Sequence, residues 1–250
     1  VWIDGRDYEV TGTSWEPKGE LRRAGATSME IDPKADAELG LLLRTATLCN
    51  TARLLPPGEG RPSWSVAGDP TEGALLSLAR KAGLDPDAER DALPPVHRLP
   101  FDSVRKRMSS VHRLPDGTLR AFVKGAPREL LALSTRLQKS GGAVGLGEQE
   151  RAQIAAELER AATRGLRLLG FAWRDLPETE ARAFSETIER ELTFVGFAAM
   201  HDPPRPGVAE AIARCRRAGI RVLMITGDYG ATAEAVARSL PGATKGESQE

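Results

Sequence analysis

A lysine and a glycine stand together where a predicted strand ends and a predicted helix begins, in Lys124-Gly125-Ala126-Pro127. A lysine followed by glycine lets an ammonium group and the backbone approach a ligand together, and the N-terminus of the following helix favours anions. The simpler interpretation is a solvated lysine beside a helix-starting turn, because turns of this composition are common. On its own, this segment favours the simpler interpretation.

Three further segments could contribute to a ligand site, and each also has a structural explanation. Phe101 precedes Lys106 by five residues, so an aromatic ring could stack on a base beside a cation; core packing of the ring is the simpler account. Glu72 could accept a hydrogen bond from an amine, but its position after Asp69 also fits a helix capping box. Arg167 lies in an apolar strand pattern, where arginines usually point to solvent.

Thr226-Gly227-Asp228 follows residues 220–225, a continuous apolar run that is typical of strands buried in parallel sheets. In open α/β sheets, ligands bind beyond the carboxyl ends of such strands. The hydroxyl of Thr226, the amide of Gly227 and the next helix N-terminus could therefore face a phosphoryl group. An equally weighted alternative is that Asp228 caps that helix.

The composition limits the class of protein. The 250 residues include 35 Lys+Arg and 35 Asp+Glu, and this zero net charge argues against nucleic acid or an anionic membrane surface as a partner. Two cysteines and three histidines are too few for a disulfide framework or a Cys/His zinc site, so we expect no metal centre and two buried free thiols. The longest uncharged apolar stretch, residues 192–200, is well short of the ~20 residues that span a membrane.

Two hairpins and several helices are expected in the first 198 residues. Asp4-Gly5 predicts a hairpin turn between residues 1–3 and 8–10, and Pro115-Asp116-Gly117 predicts another between residues 106–114 and 118–123. Helices are predicted at residues 36–55, at 70–81 with Asp69 as N-cap, after Pro127 and at 148–163. The glycine-rich residues 141–147 predict a loop, and strands at 166–173 and 192–200 flank an acidic helix.

The pattern changes after residue 198. A helix at residues 207–218, a strand at 220–225, a polar turn and a helix at 231–240 are typical of a doubly wound α/β unit. The sequence therefore predicts an α/β protein of two domains: residues 1–198 with a mainly antiparallel sheet flanked by helices, and residues 199–250 as part of a parallel α/β domain. Because the first residue is Val1 rather than Met, we expect a piece of a longer chain.

The ordered series of motifs resembles the P-type ATPases, specifically the type II cation pumps that include the calcium pumps. One such motif is weak evidence, but the series covers nearly the whole chain in the family's order. Its members are Asp69-Pro70-Thr71-Glu72-Gly73, Pro100-Phe101-Asp102-Ser103, Lys106-Arg107-Met108-Ser109, Lys124-Gly125-Ala126-Pro127, Gly165-Leu166-Arg167, Leu192-Thr193-Phe194-Val195-Gly196, Asp202-Pro203-Pro204-Arg205 and Met224-Ile225-Thr226-Gly227-Asp228. The resemblance implies a nucleotide-binding domain at residues 1–198 and a fragment of a haloacid-dehalogenase-like phosphorylation domain at 199–250.

The resemblance implies that ATP is the ligand of the first domain. Phe101 would stack on adenine, Lys124 would line the inner end of the adenine pocket, and Arg167 would hold the phosphates. Glu72 and Lys106 would contact the base region. The residues implied in nucleotide binding are Glu72, Phe101, Lys106, Lys124, Gly125 and Arg167.

The implied chemistry is phosphoryl transfer from ATP to an aspartate. Thr226, Gly227 and Asp228 would support the phosphoryl group and its Mg²⁺, and Asp202 with its two prolines would form the hinge between domains. The family's Asp-Lys-Thr-Gly-Thr and Gly-Asp-Gly-x-Asn-Asp motifs do not occur in the chain. We therefore expect a soluble fragment at the cytoplasmic face of a membrane pump that binds ATP but does not turn over. Its partners would be the remaining phosphorylation, actuator and transmembrane domains.

Three positions depart from the family pattern, and two other functions are compatible with the sequence. Ser103 stands where animal calcium pumps have arginine, Arg128 where an acidic residue is frequent, and Tyr229 where asparagine or histidine is usual. The alternatives are a free-standing soluble nucleotide-binding module and a fragment of a haloacid-dehalogenase-type phosphatase, for which no nucleophilic aspartate is evident. Calcium is the favoured ion, with magnesium, sodium and protons left open.

Overall fold

The structure, a computed structural model, describes residues 1–12, 14–25, 36–180, 185–201, 207–223 and 225. The chain divides into two compact units: Val1–Arg151 with Leu169–Ala198, and Ala152–Leu168 with Ala199–Glu250. The predicted domain boundary at residue 198 stays a prediction.

The first unit is built on a large sheet with helices packed against it. The strands are β1 (Trp2–Ile3), β2 (Arg6–Val10), β3 (Leu21–Arg23), β4 (Arg53–Leu55), β5 (Ser65–Ala67), β6 (Pro95–Asp102), β7 (Arg107–Arg113), β8 (Leu119–Gly125), β9 (Ser134–Lys139), β10 (Gly142–Gly145), β11 (Arg167–Leu176) and β12 (Leu192–Met200). The helices in the described residues are α1 (Ala37–Leu48), α2 (Pro70–Lys81), α3 (Pro86–Ala92), α4 (Pro127–Leu133), α5 (Glu148–Thr163) and α6 (Val208–Arg217), with a 3₁₀ helix at Glu186–Glu189.

The sheet runs in the order β3-β2-β1-β12-β11-β8-β7-β6, and β9 joins it beside β12 with β10 at its other edge. Antiparallel pairing predominates, while β9 and β12 are parallel. β4 and β5 form a separate two-stranded sheet. The prediction of a mainly antiparallel sheet flanked by helices is confirmed.

Both predicted hairpins are present. Asp4 and Gly5 take φ values of 43° and 76° between β1 and β2, and such left-handed residues match the turn to the twist of the strands. β7 and β8 pair along their whole length across the second turn, where Gly117 has a φ of 87°. These short-range turn signals were sufficient to locate the strands.

The first helix is shorter than predicted. α1 begins after its N-cap Asp36, but it ends at Leu48, and Arg53–Leu55 is a strand paired with β5 rather than helix. The cause is a competing set of hydrogen bonds: the amides of Thr51 and Ala52 donate to the Glu72 carboxylate at 2.8 and 2.9 Å instead of continuing the helix. The prediction of a helix to residue 55 is therefore wrong.

The prediction for the glycine-rich segment is also wrong. Gly142–Gly145 is a strand paired with β9 and not part of a loop, because β9 supplies backbone partners that the glycine-rich sequence did not reveal. The acidic segment before β12 contains the 3₁₀ helix at Glu186–Glu189 in its described part, and residues 181–184 lie outside the described residues. The edge strand β6 was not predicted.

Side chains cover both faces of the β7–β8 hairpin. One cluster joins the end of α1 to one face, and another joins the 3₁₀ helix to the opposite face. Their buried members are Leu48, Cys49, Leu93, Met108 and Phe122 in the first, and Val111, Leu119, Ala121, Leu176 and Ile188 in the second. This hairpin is thus held between two apolar layers, which gives the residues at its end a rigid support.

In the second unit, α6 and its stop at Gly219, with a φ of 72°, agree with the prediction. Residues 220–223 and 225 form no strand, and the side chains of Ile220, Leu223 and Ile225 are exposed, so the prediction of a buried parallel strand is wrong. Such a strand needs neighbours, and within the described residues no strand pairs with it. Cys215 is partly exposed rather than buried.

Residues 226–250 lie outside the described residues, and so do residues 202–206. The predictions for Thr226, Gly227 and Asp228, for Tyr229, for the helix at 231–240 and for the hinge at Asp202 all fall there.

Candidate functional site

The sheet brings four of the predicted ligand residues to one end of three adjacent strands. One row of paired residues crosses β6, β7, β8 and β11 and consists of Asp102, Arg107, Gly125 and Gly170. Phe101 and Lys106 each immediately precede a member of this row. Lys124 directly precedes Gly125 on β8 and pairs with Met108 of β7. Phe101, Lys106, Lys124 and Gly125 are thus neighbours through strand pairing.

Phe101 is placed by a β-bulge. The register shifts between Leu99, which pairs with Ser109, and Asp102, which pairs with Arg107, so Pro100 and Phe101 both oppose a single residue of β7. Bulges redirect side chains and are frequent beside binding sites. Phe101 is 64% exposed, whereas large aromatic side chains are mostly buried. The interpretation of this ring as a core residue is wrong.

The turn from β6 to β7 ends at Lys106. The Asp102 carboxylate accepts the amides of Val104 and Arg105 at 3.0 and 2.8 Å, and these hydrogen bonds lower the pKa of the Asp102 carboxyl. Lys106 itself has a φ of 54° and donates its amide to the Asp102 carbonyl. Its ammonium lies 3.3 Å from the Glu129 carboxylate in an exposed pair, which leaves Lys106 accessible to a ligand.

Lys124 and Glu72 form a buried ion pair. Nζ of Lys124 donates to Oε1 of Glu72 at 2.5 Å, and the two residues are 6% and 8% exposed. The interpretation of Lys124 as a solvated lysine is therefore wrong. Lys124 is placed there by β8, which is buried along most of its length, and Glu72 by the first turn of α2.

Glu72 does not complete a capping box. Asp69 caps α2 as predicted, accepting the Glu72 amide at 3.1 Å. The Glu72 carboxylate, however, turns away from Asp69: its Oε2 accepts the Thr51 hydroxyl at 2.7 Å and the amides of Thr51 and Ala52. The carboxylate therefore joins α2, β8 and the segment after α1. The capping-box explanation of Glu72 is wrong.

The charge state of this cluster follows from its surroundings. Burial by itself raises the pKa of the Glu72 carboxyl, but the Lys124 ammonium and the hydrogen bonds from Lys124 and Thr51 outweigh it, and the pKa lies below its ordinary value. The neighbouring Cys49 thiol is fully buried, which raises its pKa to about 12, and it donates to the Met108 carbonyl at 3.4 Å. Glu72 is thus ionised and Cys49 is a neutral free thiol, as predicted for Cys49.

Gly125 is required by packing. A Cβ atom at this position would lie 2.5 Å from the Lys106 carbonyl oxygen and 2.6 Å from Cβ of Arg107. The close approach of β7 therefore explains the glycine without a ligand, and a role of Gly125 in ligand binding stays a prediction.

Arg167 is the first residue of β11 and its side chain is exposed. It belongs to the second compact unit, whereas the other five predicted ligand residues belong to the first. Among the departures from the family pattern, Ser103 is exposed in the β6–β7 turn and Arg128 lies in the first turn of α4.

Sequence reasoning missed a second buried carboxylate. Glu189 has no exposed side-chain surface, and it accepts Arg105 at 2.6 Å, Arg107 at 2.7 Å and the Ser109 hydroxyl at 2.9 Å. Arg107 and Ser109 alternate along β7 and so share one face of that strand, and Arg105 reaches the same carboxylate from the preceding turn. The partner on that face is remote in the chain, and no local pattern marks it.

The grouped side chains are suited to binding. An exposed ring can stack on a planar base, and the ammonium groups of Lys106 and Lys124 supply positive charge beside it. The ion pair of Lys124 with Glu72 is partly shielded from water, so a charged group of a ligand beside this pair would interact with it more strongly than in bulk water.

Relatives of the chain are transport ATPases. It is 35% identical over 241 residues to a calcium-transporting ATPase of Bacillus subtilis, which covers 96% of this chain and 26% of the relative. It is 35% identical over 250 residues to the cation-transporting ATPase pma1 of Synechocystis, covering 99% of this chain and 27% of the relative. An endoplasmic reticulum-type calcium-transporting ATPase 4 of Arabidopsis thaliana is 32% identical over 268 residues, covering 94% of this chain and 24% of the relative.

The chain spans about a quarter of the length of these curated relatives. In the part of the chain that the structure describes, no helix combines the length and the apolar character needed to cross a membrane. Residues 38–207 match the family described as P-type ATPase, cytoplasmic domain N. The chain therefore belongs to the P-type ATPases and contains the cytoplasmic N domain of that family.

Proposed function

We propose that this chain is the ATP-binding part of a type II cation pump, with calcium as the favoured transported ion. The observation that carries the proposal is the exposed ring of Phe101, held on a bulge at the same end of the sheet as Lys106 and Lys124. Family membership, together with relatives whose names include calcium and cation transport, supports the choice of ligand and ion.

The Phe101 ring is the main binding surface in this proposal. A solvent-facing phenylalanine forgoes the roughly 1.5–3 kcal/mol that its burial contributes. Stacking of a base on an aromatic side chain is worth about 1–3 kcal/mol, so adenine would recover a comparable amount. The bulge holds the ring without help from the ligand, which lowers the ordering cost of binding.

Lys124 and Lys106 have different roles in this proposal. Lys124 forms the inner end of the site, with its ammonium held by Glu72, and an ammonium group has three donors of which Glu72 accepts one. Lys106 is at the outer edge, where its Glu129 pair is exposed and easily exchanged for a ligand group. Arg167 is the residue proposed to bind the phosphates.

The proposed reaction belongs to the whole pump. The terminal phosphoryl group of MgATP passes to an aspartate carboxylate of the phosphorylation domain, ADP leaves, and water later cleaves the acyl phosphate. Thr226, Gly227 and Asp228 are proposed to support the transferred group within a haloacid-dehalogenase-like fold. The actuator, transmembrane and remaining phosphorylation domains are the proposed partners, at the cytoplasmic face of a membrane.

Calorimetric titration of the 250-residue chain with ATP tests the proposal. We expect Phe101→Ala to weaken ATP binding by about 5-fold to 150-fold, which corresponds to the loss of one stacking contact of about 1–3 kcal/mol. Val104→Ala is the matched control, because Val104 is 87% exposed in the adjoining turn and has no assigned role. Equal ATP affinity in Phe101→Ala and the unmodified chain would reject Phe101 as the adenine surface.

A further inference from the structure

The β6–β7 turn carries ligand groups at both of its ends. Phe101 precedes the turn on its bulge, and Lys106 closes it in a left-handed conformation. Local hydrogen bonds to Asp102 shape the turn, but they do not tie it to the rest of the domain. At the end of the turn the Ala126 amide donates to the Lys106 carbonyl at 2.9 Å, and a further long-range contact joins the residues before Lys106 to the domain.

Arg105 supplies that contact. Its Nη1 donates to the Glu189 carboxylate at 2.6 Å, while its Nη2 donates to the Pro100 carbonyl at 2.8 Å. One guanidinium thus connects the buried Glu189 to the residue before Phe101. A planar fork of donors can bridge two acceptors in this way, which an ammonium group cannot reproduce.

Arg107 provides a second connection to the same carboxylate. Its Nε donates to Glu189 at 2.7 Å, and its Nη1 donates to the Arg105 carbonyl inside the turn at 3.0 Å. The Ser109 hydroxyl occupies the other carboxylate oxygen at 2.9 Å. Glu189 is therefore linked to both ends of the segment from Phe101 to Lys106: to Pro100 through Arg105, and directly to Arg107.

We infer that Glu189 is a positioning residue for the nucleotide, acting through Arg105 and Arg107 to hold Phe101 and Lys106 in their binding arrangement. The inference rests on the proposed ATP site. Glu189 itself does not touch the ligand, because its side chain has no exposed surface. Without its charge, the turn must be ordered when the nucleotide binds, and that ordering weakens binding.

The test is a double-mutant cycle on ATP affinity in the 250-residue chain. We expect Glu189→Gln to weaken ATP binding about fivefold or more, since at least two side chains must then be ordered on binding. In the Phe101→Ala background the same substitution is expected to have a clearly smaller effect, because only the positioning of Lys106 is then lost. A loss that arises from general destabilisation would instead be the same in both backgrounds.

Glu186→Gln is the matched control. Glu186 lies 3.5 Å from Nε of Arg105, but its side chain is 70% exposed, so its loss is expected to leave ATP affinity unchanged. If Glu189→Gln does not fold, Arg105→Lys replaces it, because it keeps the charge and loses the bridge to Pro100. Arg105→Lys is then expected to weaken ATP binding more in the otherwise unmodified chain than in the Phe101→Ala chain.

The outcomes separate this inference from the proposed function. If the unmodified chain does not bind ATP, the proposed function fails. If the chain binds ATP and Phe101→Ala weakens binding, but Glu189→Gln, or Arg105→Lys in its place, binds normally or loses affinity equally in both backgrounds, only the positioning role is overturned.

Discussion

Replacement of Lys124 by methionine would leave the Glu72 carboxylate buried without its counter-ion. Glu72 is 8% exposed, and Lys124 is the cation that lies 2.5 Å from it. Removing one member of a buried ion pair typically costs about 3–5 kcal/mol. The carboxyl can escape this cost by taking up a proton, so the cost of protonation sets an upper limit on the charge penalty.

That limit depends on pH. Each pH unit above the ordinary glutamate pKa of about 4.3 adds ~1.4 kcal/mol to the cost of protonation. The limit is therefore about 3.7 kcal/mol at pH 7 and about 1 kcal/mol at pH 5. In the unmodified chain Glu72 changes stability with pH in the opposite direction. The pKa of its carboxyl is lowered, so its stabilising contribution is present above the unfolded-state pKa and is lost as pH falls.

We expect Lys124→Met to lower the free energy of unfolding by about 3–4 kcal/mol at pH 7 and by clearly less at pH 5. Urea unfolding at both pH values, followed by tryptophan fluorescence, measures the difference. Lys139→Met is the matched control, because Lys139 forms a partly exposed pair with Glu150 at 3.6 Å and its loss should cost less than about 1 kcal/mol at either pH. A Lys124→Met penalty of the same size at both pH values would refute the argument that Glu72 is left as a buried charge.

Three further predictions concern the same domain. Gly125→Ala should destabilise it by about 1–3 kcal/mol in urea unfolding, because the new Cβ meets the Lys106 carbonyl, whereas Gly141→Ala, in open space, should change stability little; equal effects would contradict the packing argument. Cys215 should react with a thiol reagent in the folded chain, whereas Cys49, whose pKa burial raises to about 12, should react only after unfolding, as mass spectrometry of the labelled peptides would show. Burial lowers the pKa of His112, which hydrogen-bonds with Ser110 and the Leu93 carbonyl, so the unfolded chain binds more protons than the folded chain below about pH 6.5. The free energy of unfolding should therefore decrease as the pH is lowered below that value. His112→Gln should reduce this dependence on pH, and an unchanged dependence would reject the assignment to His112.

Features that depend on near neighbours in the chain were predictable, whereas features that depend on remote residues were not. The Asp4-Gly5 turn, the cap of α2 by Asp69 and the end of α6 at Gly219 were predictable, because each depends on residues a few positions apart. The end of α1 was not, because the acceptor that draws the amides of Thr51 and Ala52 away from the helix lies on α2.

The candidate site shows the same division. The residue types and order of the motifs were enough to predict the family, which residues 38–207 confirm. They did not show that Phe101 is exposed, that Lys124 is buried or that Glu72 binds Lys124, since each has a simpler local explanation that the structure contradicts.

By itself, the sequence determined the turns, most helices, the antiparallel character of the sheet and the family. Only the tertiary structure decided that Glu72 serves Lys124 and that Glu189 holds Arg105 and Arg107. The physical reason is that a turn or a helix cap is satisfied by its own neighbours, whereas a buried carboxylate must be satisfied by whichever donors the fold brings to it. Those donors lie on other elements, and strand pairing and helix packing select them.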